Sequence, residues 1–92
     1  MNYIKVVWKH SSQADPVLLY SELDSERWEV RKVEVFPDGK MSYAASNTSC
    51  GGTELGLIPV PPLGEINANA EFEGRQITSA EFQSVWEQAT CR

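Results

Sequence analysis

One histidine in the chain has hydroxyl and carboxyl side chains close to it in sequence, the types from which hydrolases build a nucleophile. His10 is followed by Ser11, Ser12 and Asp15. A nucleophile needs a base and an orienting acid that the fold brings together on a sharply turned backbone, and contiguous residues do not provide this. The spacing therefore favours a solvent-facing histidine at the end of a strand.

Four carboxylates lie close together farther along the chain, at Glu22, Asp24, Glu26 and Glu29. Paired carboxylates serve acid–base chemistry when burial raises the pKa of one of them. Basic residues are interleaved with these four around a predicted turn, which is typical of an ionised, solvated hairpin edge. The chain is therefore not predicted to be an enzyme, and these four residues form one candidate surface for binding a partner.

A polar, glycine-containing loop over 46–56 has the composition of a small-ligand site. Backbone N–H groups around its two adjacent glycines can form a nest for an anion. No lysine follows at the spacing of a phosphate-binding loop, and the neighbouring charge is that of Glu54. A loop without a ligand is therefore favoured. Ligand binding by Cys50, Gly51, Gly52 and Thr53 is the alternative.

The two cysteines, Cys50 and Cys91, do not form a metal-binding motif. They are far apart in sequence, and the single His10 does not complete a tetrahedral zinc site with them. No metal and no cofactor are predicted. Because the first residues do not resemble a secretory signal, a reducing, cytoplasmic location and free thiols are expected.

The composition is that of one globular domain spanning 1–92. Hydrophobic residues make up 41% of the 92 positions, enough for a modest core without a metal or disulfide framework. The longest apolar run, Val17 to Tyr20, is far shorter than about 18 residues, so no membrane span is predicted. Eight basic and thirteen acidic side chains give a net charge of −5, which argues against a nucleic-acid partner.

The acidic excess is concentrated in the second half of the chain. Residues 1–46 carry six basic and seven acidic side chains, whereas residues 47–92 carry two basic and six acidic ones. A one-sided acidic field steers a basic protein partner, although solubility alone also explains a charge of this size. Glu71, Glu73 and Glu81 are the residues of this half that are expected to contact a partner.

Alternation and turn signals predict four strands, over 3–10, 17–23, 27–36 and 40–45. Pro37-Asp38-Gly39 is a strong hairpin signal between the last two. The valines of the third strand change phase, which indicates a β-bulge near 31–32. Short connections favour an antiparallel meander.

The rest of the chain is predicted to hold a loop over 46–61, a helical turn over 62–67, a short edge strand within 71–77 and a helix over 79–90. Thr78 and Glu81 fit a capping box at the start of that helix. Its apolar residues recur at helical spacing, at Phe82, Val85, Trp86 and Ala89. The predicted fold is therefore α+β, an antiparallel sheet of four or five strands with the C-terminal helix packed on one face.

Features shared with a known family run through almost the whole chain. They are Tyr3-Ile4-Lys5-Val6, Trp8, His10, Leu19-Tyr20-Ser21-Glu22-Leu23, Glu29 to Phe36, Asp38-Gly39, Tyr43-Ala44, Gly51-Gly52-Thr53, Gly56, Pro59, Pro61-Pro62-Leu63, Glu65-Ile66-Asn67, Glu81-Phe82 and Trp86. On these residues the chain resembles a family of small, stand-alone bacterial domains of uncharacterised function. The resemblance carries no catalytic or binding residue. In size and charge such proteins look like the immunity proteins of bacterial toxin systems.

These observations predict a small acidic module that binds a basic protein partner. Its sharpest form is an immunity protein that neutralises a cognate bacterial toxin such as a nuclease, because nucleases are basic where they grip phosphates. The alternative is a small-ligand-binding or sequestering protein that uses the 46–56 loop. The three tryptophans, Trp8, Trp28 and Trp86, are predicted to lie in the core, although a partly exposed indole would make a strong partner contact.

Overall fold

Six strands and two helices follow one another along residues 1–90, the part of the chain that this computed structural model describes. They are β1 (Asn2–Trp8), β2 (Leu18–Leu23), β3 (Glu29–Val35), β4 (Met41–Ala45), β5 (Thr48–Cys50), α1 (Leu63–Ala68), β6 (Phe72–Ile77) and α2 (Ser79–Thr90). Neither helix of this described part has the length and apolar character needed to cross a membrane. Cys91, for which a free thiol is predicted, lies outside the described residues.

The strands form one antiparallel sheet in the order β5-β4-β3-β2-β1-β6. The first five strands are consecutive neighbours, as the short connections predict, and β6 returns to pair with β1. The α+β class is confirmed, but the sheet has six strands within the described chain rather than four or five. The strand that the sequence did not reveal is β5, which lies inside the segment 46–61 predicted to be a loop.

A β-bulge in β3 explains why the valines of this strand change phase. Glu22 pairs with Arg31, whereas the next residue of β2 pairs with Glu29, so Val30 is the extra residue. The sequence places this bulge near 31–32, and the structure has it one residue earlier. Because of the bulge, Glu29 and Arg31, which are two residues apart, point to opposite faces of the sheet.

Helix α2 packs on one face of the sheet through the apolar stripe predicted for it. Phe82 is fully buried, and its ring lies 5.5 Å from the ring of Tyr3 on β1. Trp86 meets Tyr43 of β4 edge-on at 5.4 Å, and Ala89 is 2% exposed. The helix therefore crosses the sheet from β1 to β4.

One half of the predicted capping box is present at the start of α2. The backbone N–H of Glu81 donates to the hydroxyl of Thr78 at 3.1 Å, which satisfies one of the free donors of the first turn. The carboxylate of Glu81 lies 3.6 Å from the guanidinium of Arg75. The glutamate thus links the helix to β6 instead of completing the box.

The opposite face of the sheet is covered by α1 and by the segment 51–62. Ile4 and Val6 of β1 alternate with Tyr3 and therefore point to this second face, where they are buried with Leu23. Partly buried apolar side chains complete this core, namely Leu19, Val60, Leu63, Ile66 and Phe72. The sheet is thus the middle of three layers.

Helix α1 is held against β6 by a side-chain amide. Asn67 donates its Nδ2–H to the carbonyl of Gly74 at 3.0 Å and accepts the Gly74 N–H with its Oδ1 at 2.6 Å. A Cβ at Gly74 would lie 3.0 Å from a methyl carbon of Leu63. The absence of a side chain at this position is therefore what lets the helix lie so close to the strand.

Candidate functional site

Three large apolar side chains that are exposed to solvent belong to two neighbouring segments of the fold. Leu57 is 91% exposed, Ile58 72% and Trp28 39%. We call these three residues the apolar tip. For Trp28 this corrects the predicted core position. Leu57 and Ile58 were missed, although their setting gives a signal, because they precede Pro59 in a proline-rich segment that forms no regular element able to bury them.

Hydrogen bonds at both ends of the segment that carries Leu57 and Ile58 bring it to Trp28. At one end, the N–H of Gly56 donates to the carboxylate of Glu29 at 2.6 Å. At the other, the N–H of Val60 donates to the carbonyl of Arg27 at 2.8 Å. Arg27 and Glu29 are the two chain neighbours of Trp28, so the backbone of Trp28 lies between the two anchors.

Arg27 is built into this arrangement by both its backbone and its side chain. Its φ of 68° lies in the left-handed region, which residues other than glycine seldom occupy. Its guanidinium donates to the carbonyls of Val60 and Pro61, each at 2.9 Å. A side chain that satisfies two loop carbonyls fixes the loop, so the apolar tip is preorganised rather than freely moving.

Two of the predicted partner-binding acids flank the apolar tip. Asp24 accepts the backbone N–H groups of Glu26 and Trp28 with one carboxylate oxygen, each at 2.9 Å. This cap fixes the turn that leads into β3. Glu26 is exposed and Asp24 is half-buried. The tip therefore has an acidic border on the side of this turn.

The other two acids of this run are buried, and the prediction of a solvated edge is wrong for them. The side chain of Glu22 is 9% exposed and that of Glu29 is 5% exposed. Glu29 accepts a hydrogen bond from Ser21 at 3.1 Å and lies 3.6 Å from Lys32, on the face that the segment 51–62 covers. Glu22 lies under α2. Sheet alternation and the bulge, which local composition does not show, turn both carboxylates inward.

Glu22 belongs to a buried cluster that joins the sheet to α2. Arg31 donates to its two carboxylate oxygens at 2.6 and 3.2 Å, and the hydroxyl of Tyr3 donates to it at 2.9 Å. The guanidinium lies 4.9 Å from the ring centroid of Phe82 and 5.0 Å from that of Trp86. The hydrogen bonds from Arg31 hold the pKa of Glu22 below its usual value, and the bond to Glu22 raises the pKa of Tyr3.

The three acids predicted for the second half of the chain are exposed but engaged with neighbours. Glu73 lies 3.6 Å from Lys9, and Glu81 lies as close to Arg75. Glu71 accepts the indole N–H of Trp8 at 3.4 Å. These acids therefore lie along β6 and the start of α2, and their contact with a partner stays a prediction.

The loop considered for ligand binding is folded against β4. Thr53 is 1% exposed. Its hydroxyl forms a hydrogen bond with the hydroxyl of Ser42 and donates to the carboxylate of Glu34 at 2.7 Å. Gly51 has a φ of 79°, and a Cβ there would lie 2.6 Å from the Cβ of Ser42. These two residues serve packing. Cys50 is exposed with a free thiol, and Gly52 has open space around it.

His10 organises the loop after β1. The N–H of Ser12 donates to Nδ1 at 3.0 Å, so Nε2 carries the proton and donates to the carbonyl of Pro16 at 2.7 Å. The ring is half-buried rather than solvent-facing, and it is Ser12's backbone that contacts it. Within residues 1–90 no three His, Cys, Asp or Glu side chains are gathered closely enough to hold a metal ion, and the absence of a cofactor stays a prediction.

Comparison with known proteins places the chain in a family without assigning it an activity. Neither a curated protein nor a solved structure gives a significant match. The match to a family model covers residues 2–91, which is nearly the whole of the fold described above. The chain therefore belongs to the family described as a domain of unknown function, DUF6881.

Proposed function

We propose that the protein is a small protein-binding module that docks a basic partner through the apolar tip. The observation that carries this proposal is the exposure of Leu57 and Ile58 on a segment anchored on both sides of Trp28. Exposed aliphatic residues on a loose loop would have little meaning, because single surface apolar residues are common. Here Arg27, whose φ lies in the left-handed region, and the buried carboxylate of Glu29 hold the segment in place.

Burial of the tip contributes favourable free energy to a complex. Removing a Leu or Ile side chain from water is worth about 1.5–3 kcal/mol when burial is complete, and Leu57 and Ile58 are 91% and 72% exposed. Because the segment is already fixed, little conformational entropy is lost when a partner covers it. Tryptophan is also enriched among the residues that dominate binding energies. The tip therefore has the character of an interface centre.

Charge favours a basic partner over other proteins. Asp24 and Glu26 border the tip, and the whole chain carries a net charge of −5. Unlike charges raise the association rate and disfavour acidic competitors. Within this class we propose a toxin with a basic working surface, such as a nuclease, which an acidic inhibitor would occlude.

The first experiment separates a tip-dependent complex from nonspecific capture. The wild type, a Leu57→Ser/Ile58→Ser variant and a matched surface control, Gln88→Ser on α2, are immobilised and exposed to lysate of the native host. The captured protein is then purified and its affinity for each variant is measured by calorimetry. We expect a basic partner with 1:1 stoichiometry, unchanged affinity for the control and a loss of about 100-fold or more in the tip variant. Equal affinity for all three variants would refute the tip as the interface.

A second experiment tests the toxin in particular. The partner is expressed alone and together with either the wild type or the tip variant, and growth is followed. Growth arrest that only the wild type relieves supports neutralisation. A harmless partner would refute the toxin assignment and leave tip-dependent binding standing. Recovery of a bound small molecule with no protein partner would instead favour the sequestering alternative.

A further inference from the structure

Two cations face each other across neighbouring strands on the α2 side of the sheet. Lys5 of β1 is the direct partner of Arg75 of β6 in the antiparallel register. Directly opposed residues point to the same face, and like charges in such a pair destabilise the sheet. Acidic residues outnumber basic ones in this chain, whose net charge is −5, so a directly opposed pair of cations is unexpected.

The charge of this pair is only half balanced. Glu81 lies 3.6 Å from the guanidinium of Arg75. No carboxylate of residues 1–90 lies within 4.0 Å of the Lys5 ammonium, which instead lies 5.7 Å from the ring centroid of Tyr20. Glu73 of β6 lines a neighbouring cavity with Lys5 and Arg75, but its carboxylate lies 3.6 Å from the ammonium of Lys9, just after β1. Three cations, Lys5, Lys9 and Arg75, thus face two carboxylates, Glu73 and Glu81. One positive charge at this place is therefore in excess.

The unbalanced lysine lines a groove between α2 and the sheet. The groove has a volume of about 440 Å³. Besides Glu81 its walls are formed by Lys5, Tyr20, Arg75, Ala80, Ser84 and Val85. The tyrosine ring, the alanine and the valine offer an apolar surface, while the cations and the serine hydroxyl offer polar contacts. An apolar body with a charged end fits this combination.

We propose that this groove binds a small monoanion, a carboxylate attached to an aliphatic or aromatic body. The carboxylate would lie between Lys5 and Arg75 and would remove their mutual repulsion. A single negative charge is favoured over a doubly charged phosphate, because Glu81 leaves only one positive charge unbalanced and would repel the second. This site is independent of the apolar tip, whose Leu57 and Ile58 lie on the segment covering the opposite face of the sheet.

The test uses 4-phenylbutyrate as the probe and its uncharged amide as the matched ligand control. Both are titrated into ¹⁵N-labelled protein, and backbone chemical shifts are followed. We expect saturable shifts at Lys5, Arg75 and Ser84 with the carboxylate only. The variant Lys5→Gln should weaken binding about tenfold or more, as expected for loss of a charged hydrogen bond, whereas Lys9→Gln should not.

Thermal unfolding of the unliganded variants gives a second, independent readout. If Lys5 is there for a ligand, Lys5→Gln relieves repulsion and the free protein melts at the same or a higher temperature than the wild type. A lower melting temperature would show that the lysine serves folding and would overturn the proposal. Equal shifts with the amide, or no saturable shifts in the groove, would overturn it as well.

Discussion

Replacing Arg31 by methionine removes the guanidinium that joins α2 to the sheet, and we expect a cost of about 3–5 kcal/mol at pH 7. The variant loses two hydrogen bonds to Glu22 and one of 3.1 Å to Gln83, as well as contact with two aromatic rings. The larger part of the cost is the carboxylate left behind, since the Glu22 side chain is 9% exposed and, among residues 1–90, keeps only the donor from Tyr3. Of the roughly 5–15 kcal/mol typical of a domain, this is a large fraction.

The cost should depend on pH in a defined direction. In the wild type the folded-state pKa of Glu22 lies below its ordinary value of 4.5, mainly because of the hydrogen bonds from Arg31. The stability from this pair is therefore complete above pH 4.5 and is lost as the pH falls through the lower, folded pKa. In the variant, burial without the arginine favours the neutral acid and raises the pKa. Acid then relieves the penalty, so the difference between the two proteins should shrink toward about pH 4.

Urea unfolding at several pH values measures both effects. Arg75→Met is the matched control, because that arginine is 58% exposed and an exposed pair is worth about 1 kcal/mol or less. The double variant Arg31→Met/Glu22→Gln should recover part of the loss, since it removes the stranded charge. A loss below about 1 kcal/mol that does not change with pH would refute this account of the cluster.

Further expected outcomes concern the loop before the apolar tip. Gly51→Ala should lower the free energy of unfolding in urea more than Gly52→Ala does. Both glycines have positive φ, but only at Gly51 would the new Cβ lie 2.6 Å from a side chain of β4. Equal losses of stability in the two variants would contradict this. Thr53→Val should cost about 1–3 kcal/mol, since the buried hydroxyl donates to Glu34, and a neutral change would count against that network. Cys50 should react with a thiol reagent in the native state, and protection until unfolding would contradict its exposure.

The parts of the fold that local patterns specify could be predicted from the sequence. Helix α2 has an apolar stripe at helical spacing and a threonine cap, and both are present. The hairpin between β3 and β4 has Gly39 at a φ of 87°, as its turn sequence requires. The bulge in β3 was visible as a phase change among the valines. In each case the information lies within a few neighbouring residues.

The remaining features depend on contacts between distant segments. β5 is a strand of three exposed residues, so its sequence has no alternation of apolar and polar residues that would predict a strand. Only its pairing with β4 defines it. Trp28 is exposed, and its neighbours Arg27 and Glu29 bind a loop about thirty residues away in the chain. Glu22 is buried although its side chain is charged, because Arg31 on the neighbouring strand β3 pairs with it. Composition alone cannot show such pairings.

The amide of Asn67 has a consequence for how this sheet behaves at high concentration. A strand at the border of a sheet offers free N–H and C=O groups to any other chain, which makes it a starting point for aggregation. On β6 the groups of Gly74 are already taken by Asn67, and the N–H of Phe72 donates to the carbonyl of Asn69 at 3.0 Å. At the other border, β5 is only three residues long. Addition of a strand from a second molecule is therefore hindered at both edges. At β6 the backbone groups of Gly74 are already hydrogen-bonded, and β5 is too short to offer many.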